Sequence, residues 1–209
     1  MSKAEDTSHS SCKHIRRKQH QQVITGLLLV ACSCLLGCLT TASAAVSVTN
    51  SLADDERLFK AAFIYNFAKL TSWPENTWKN TDAPLILCTA GNDQLAGDLS
   101  QLAGKVIKGR SVSTNSLESG QDPAKCHVLY IAMSETENYK KILKSVTHHP
   151  VLSISEIPGF VQAGGLIELY RENQRTRFLI DLGKARQLNL QISSRLLRLA
   201  TVVGNRELP

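Results

Sequence analysis

Three arginines in the last quarter of the chain, Arg171, Arg175 and Arg177, have the clearest capacity for ligand chemistry. A guanidinium presents a rigid fork of donors that matches a carboxylate or phosphate bidentately. Arg175 and Arg177 lie two apart, so on a strand both point to one face, with Arg171 nearby across a turn. Glu168 and Glu172 can neutralise such a face, and an ordinary solvated hairpin is the competing reading. Other chemistry is harder to assemble. There is no G-x-S-x-G elbow, no H-E-x-x-H and no phosphate loop, and Gly159, Gly164 and Gly165 fit turns and caps better than a phosphate cradle. His148 and His149 are adjacent in a loop before Pro150 and point different ways, with no cysteine or clustered carboxylate to complete a metal site. His127 opens an apolar run, where packing at a strand end is the default over a role as a base. No nucleophile pairs with a base, so the sequence points away from an enzyme, and no metal or cofactor is expected.

Residues 1–44 have the order of a secretory leader. Lys13, Arg16, Arg17 and Lys18 precede an apolar run from Val23 to Leu39, and Ala42-Ser43-Ala44 offers a small-residue cleavage site. The expectation is export by the general secretion pathway, cleavage, and a mature domain over residues 45–209 that does not span the membrane. Leu35-Leu36-Gly37-Cys38 is similar to a lipobox, which makes a lipoprotein acylated at Cys38 the alternative. Four of the six cysteines fall in the leader, leaving Cys88 and Cys126. In an oxidising compartment an even count argues for one disulfide, with two buried free thiols as the alternative. Five of the 24 Lys and Arg and two of the 18 Asp and Glu also lie in residues 1–44, so removal lowers the formal net charge from +6 to +3. Nucleic-acid binding thereby loses its main support.

The mature chain alternates helical and extended patterns. Ser51 to Asp54 fits a capping box, and the helix it opens runs through FKAAFIYNFAKL to Leu70, ending before Trp73-Pro74. Its apolar residues cover nearly the whole circumference, which predicts burial. Short apolar runs at Pro84–Cys88, His127–Ile131 and Pro150–Ile154 read as buried strands, with helices from Asp93 to Leu102, Glu135 to Val146 and Ser155 to Ala163 between them. Leu166–Tyr170 and Arg175–Ile180 flank a hairpin turn, and two closing helices lie around Gly183–Leu188 and Ser193–Ala200. The fold class is therefore α/β: one compact domain, a mostly parallel sheet with helices on both faces, and a C-terminal antiparallel hairpin. Parallel neighbours in register would hold Cys88 and Cys126 too far apart to bridge, so either the strands are staggered or Cys126 sits in an incoming loop.

Six segments in order, KAAFIYNFAKLTSWPE, LCTAGND, LAGKVIKGRSV, KCHVLYIAMSE, PVLSISEIPGFVQAGGLIELY and RFLIDLGKARQLNLQISSRLLRLA, resemble the YfiR family of bacterial periplasmic proteins over roughly Asp54 to Val203. The resemblance implies an exported, often dimeric α/β domain without catalysis. It implies binding to the periplasmic sensor region of an inner-membrane diguanylate cyclase, repression of cyclic-di-GMP signalling and restraint of biofilm growth. Cys88 and Cys126 occupy positions matching family cysteines, whereas a second cysteine pair is missing from the mature chain. The partner surface it implies lies in the Ile154–Ile167 region, with Glu156, Ile157 and Phe160, against which turn packing around Pro158-Gly159 is the competing reading. The second hypothesis is a small-ligand receptor holding an anion or nucleotide through Arg171, Arg175 or Arg177.

Overall fold

The computed structural model describes residues 43–118 and 121–204; the basic and apolar parts of the predicted leader, and Cys38, lie outside them. The chain divides into two units at Leu52, and the unit from Ala53 onward carries the fold. Helix α1 spans Ser43–Lys69. Ser51 therefore lies inside the helix and does not cap it, because no proline or glycine interrupts residues 43–69. Ala61, Ile64, Phe67 and Ala68 recur at three- and four-residue steps and are buried, whereas Leu58 and Phe59 are 57% and 66% exposed. The expectation of burial all round is corrected: one helix lying on a sheet covers only the stripe that faces it.

After α1 come β1 (Thr71–Ser72), β2 (Leu85–Ala90), α2 (Gln94–Ser100), β3 (Val106–Ile107), β4 (Arg110–Leu117), β5 (Val128–Ile131), α3 (Tyr139–Ser145) and β6 (Leu152–Ser155). The chain closes with β7 (Ile167–Glu172), β8 (Arg175–Asp181), α4 (Leu182–Gln187), β9 (Gln191–Ile192), α5 (Ser194–Leu197) and β10 (Thr201–Val203). Eight strands form one sheet in the order β10-β8-β7-β6-β5-β2-β4-β3, and β1 pairs with β9 separately. From β4 through β7 every neighbour is parallel, as is β10 beside β8; β3 with β4 and β7 with β8 are antiparallel. The α/β class and the hairpin are as expected from the sequence. The predicted helix over Ser155–Ala163 is instead a series of turns, and the predicted helix from Glu135 starts only at Tyr139.

Strands β2, β5 and β6 are buried on both faces, which is why they read as unbroken apolar runs. Leu85, Leu87, Val128, Tyr130, Leu152 and Ile154 face α1, α2, α4 and α5 in one core. Cys88, Leu129, Ile131, Tyr139, Leu143 and Phe160 form a second core on the other face. Within it Cys88 is bonded to Cys126, with their Cα atoms 5.8 Å apart. Cys88 sits opposite Leu129 in the ladder, so Cys126 lies outside it, at the end of the 3-10 turn Pro123–Lys125. The incoming loop, not a stagger of the strands, brings the sulfurs together.

His127 is held through its ring and its backbone. Its Nδ1 accepts the Ile86 N–H at 2.9 Å, and its carbonyl accepts the Trp73 indole N–H at 3.2 Å. The ring stacks on Trp78 at 4.4 Å, and the Arg110 guanidinium lies 4.0 Å over the same indole. Arg110 in turn donates to the carbonyls of Asn80, Thr81 and Ala83, fastening the loop before β2. Burial first, and the Arg110 charge second, lower the His127 pKa from 6.5 to about 4.

Two stability measurements test this packing. The bridge closes a loop between residues 38 apart, so the double variant Cys88→Ala, Cys126→Ala is expected to lose about 4 kcal/mol in urea denaturation in the chain-entropy model. Since His127 titrates at about 4 when folded and 6.5 when unfolded, neutral His127 stabilises above pH 6.5 and that contribution fades as pH falls towards 4. The loss amounts to about 3 kcal/mol. His127→Asn keeps an acceptor that does not titrate, and its stability should fall less steeply over this interval; an unchanged slope would disprove the assignment.

Candidate functional site

In an open sheet, side chains gather into sites outside the carboxyl ends of the strands, where the strand order reverses. The order β4-β2-β5-β6-β7 reverses between β2 and β5. At that rim the Tyr130 hydroxyl of β5 donates to Asp93 Oδ2 at 2.9 Å, and Asp93 Oδ1 accepts the Ala96 N–H at 2.7 Å, capping α2. Burial of the phenol, followed by the carboxylates of Asp93 and Glu156, pushes its pKa above the ordinary value. Tyr130 has no free proton to give and serves as a fixed donor.

Glu156 follows the last residue of β6 and is held by α1. Lys60 Nζ lies 2.6 Å from Glu156 Oε1 and 3.2 Å from Glu56 Oε1, and Glu56 is also paired with Arg171 of β7. Burial alone would lower the Lys60 pKa, but the two carboxylates outweigh it and raise it. The row Glu156, Lys60, Glu56 and Arg171 thus alternates in sign across the rim. It lines an open groove of about 370 Å³ together with Met133, Leu169 and Tyr170, and Met133 is 45% exposed. A wider groove of about 530 Å³ lies beside α3, lined by Glu118, Asp122, Glu135 and Lys141 among others.

The structure separates the other residues named from the sequence. Ile157 is 2% exposed and Phe160 0%, both in the second core, so in this conformation neither presents a surface to a partner. The reason is local. Glu168 is buried under the turn and accepts the Gly159 and Val161 N–H groups, Ser155 Oγ accepts the Ile157 N–H, and Ser153 Oγ accepts the Leu166 N–H. A Cβ on Gly165 would lie 2.2 Å from the Phe160 ring. Four side-chain bonds and one glycine therefore pin the segment with its apolar residues inward. Of the three partner-surface residues, Glu156 alone reaches the rim.

The arginines do not converge either. The hairpin turn is Asn173-Gln174, both at positive φ, so Arg171 and Glu172 belong to β7. Arg171 stands opposite Thr176, and directly opposed residues share a face, which places Arg171 on one face and Arg175 and Arg177 on the other. Arg177 lies 3.7 Å from Glu172, on a solvated surface. Sequence reasoning missed Lys60 and Glu56, whose only signal was their spacing on an amphipathic helix; it also missed Tyr130 and Asp93. Among the described residues no group of three or more His, Cys, Asp or Glu could hold a metal, and no helix is long and apolar enough to cross a membrane.

No curated protein matches the chain. The family model described as YfiR/HmsC-like matches residues 58–201, from α1 through the first residue of β10. That family comprises periplasmic regulators of diguanylate cyclase signalling rather than enzymes. With most of its length and all but the last residues of its sheet inside the match, the chain belongs to the YfiR/HmsC-like family.

Proposed function

We propose that the protein is a periplasmic repressor that docks on the periplasmic sensor region of an inner-membrane diguanylate cyclase and thereby lowers cyclic-di-GMP and biofilm formation. Residues 1–44 act as the leader that the general secretion pathway removes, and residues 45–209 are the working domain. The observation that carries the docking surface is the rim groove, where Glu156, Lys60, Glu56 and Arg171 alternate in charge beside the exposed Met133. Alternating charges select orientation and partner more than they add affinity. A thioether beside them adapts to the partner's contour. Repression is then linkage: it persists while the bound state favours the inactive conformation of the cyclase. A receptor for a small anion has less support, because Arg171 lies on the face opposite Arg175 and Arg177 and is already paired with Glu56.

Deleting the gene should raise cyclic-di-GMP, and normal levels in a clean deletion strain would count against repression. Met133→Arg alters the groove at an exposed position and should leave stability within about 0.5 kcal/mol, whereas Arg171→Glu breaks the pair with Glu56 and should cost no more than about 1 kcal/mol. Both should nevertheless reduce recovery of a transmembrane diguanylate cyclase by affinity capture from membranes. Ile157→Ala is expected to behave oppositely, lowering stability by about 2 to 5 kcal/mol. If Ile157→Ala instead weakens capture with no loss of stability, the docking surface lies elsewhere.

A further inference from the structure

The outer edge of β4 is paired only at its start. Val106 and Ile107 of β3 stand opposite Ser111 and Arg110, and Val112 exchanges hydrogen bonds with Lys105 and Gly104 just beyond them. Backbone groups alternate sides along a strand. Val112 points outward, so the N–H and C=O groups of Thr114 and Ser116 point outward as well, away from β2, and meet no strand among the described residues. An exposed edge of this kind is a template for another strand, and proteins ordinarily blunt it with lysine, proline or a bulge. Residues 111–117 contain neither lysine nor proline, and their register with β2 is unbroken.

A groove of about 370 Å³ runs beside that edge, walled by Thr114 and Ser116 on one side and by Ala96, Gly97 and Ser100 of α2 on the other. No charged side chain lines it. Thr89 of β2, 7% exposed, lines it too. Gly97 adds room, since a Cβ there would meet nothing within 4 Å.

We propose that this edge and groove form a second binding site, which takes an extended, uncharged polypeptide segment of another protein as an added strand. The outward donors and acceptors of Thr114 and Ser116 repeat every two residues along one line, about 6.6 Å apart, which is the repeat of an extended chain. Main-chain bonds to them supply affinity, and small polar side chains entering the groove supply selectivity. A second copy of β4 fits less well. An edge contact of four polar residues buries on the order of a few hundred Å², short of the ~1,200 Å² that a stable dimer needs, whereas a flexible segment that also enters the groove can bind transiently with less. The site is separate from the rim groove and does not depend on the docking reading.

Random nonapeptides displayed on phage, selected against the purified protein, test the proposal. Uncharged peptides with small side chains should be enriched. As synthetic peptides they should bind about tenfold more weakly to Ser116→Pro, which deletes one outward N–H and spares the bonds to β2. Gly97→Arg, which fills the groove without backbone strain, should abolish binding. Thermal unfolding of Gly97→Arg should match the parent, so the test holds even if the proline variant proves unstable. Failure to enrich any peptide, or equal binding to both variants, overturns the proposal. So does sedimentation showing a dimer that Ser116→Pro dissociates, because the edge would then belong to a second copy.

Discussion

Burial of β2, β5 and β6 on both faces is the constraint from which the remaining features follow. Strands covered above and below can bond only through their edges, so the sheet grows sideways in a parallel ladder and helices or turns must cross over each face. Helices α1 and α2 supply the cover on one side. On the other, α3 shares the work with the pinned turn after β6 and with the disulfide, which joins the loop entering β5 to the middle of β2. Polar chemistry is thereby excluded from the middle of the domain and displaced to the ends and edges of the strands.

The ends are used unequally. At the amino ends, Trp73, Trp78, His127 and Arg110 form a stack that bonds to backbone groups through the Trp73 indole N–H, His127 Nδ1 and the Arg110 guanidinium. It holds the loop before β2. At the carboxyl ends, Tyr130, Asp93, Glu156 and Lys60 are also mutually satisfied, yet Glu56, Arg171 and Met133 carry the network out to an open groove. This alternating network beside an open groove is the physical basis of the proposed docking surface.

The turn after β6 shows how a surface residue and a core residue can be neighbours in sequence. Glu156 reaches Lys60, while Ile157 turns into the second core because Ser155 holds its N–H. Glu168 fixes the next two N–H groups from below, and Phe160 closes over Gly165. A carboxylate that reads in sequence as a neutraliser of nearby arginines is therefore a buried clasp, and the arginines find other partners or none. The position of Glu56 one turn before Lys60 on α1 gives the rim its alternating charge, since both reach across to the sheet from the same helix.

Patterning within each element was legible without coordinates. Apolar runs at Pro84–Cys88, His127–Ile131 and Pro150–Ile154 announced buried strands, Asn173-Gln174 sat in an expected hairpin turn, and two cysteines left after the leader suggested a bridge. Those signals are local, because side-chain periodicity and turn chemistry act over a few residues. Which residues meet across the sheet was decided by the fold alone: the parity that sends Arg171 to one face and Arg177 to the other, the helix that brings Lys60 to Glu156, and the loop that carries Cys126 to Cys88. Such contacts join positions far apart in sequence, and a shift of one residue in strand register would reverse them. The chain spells out its elements, but the ladder between them chooses the site.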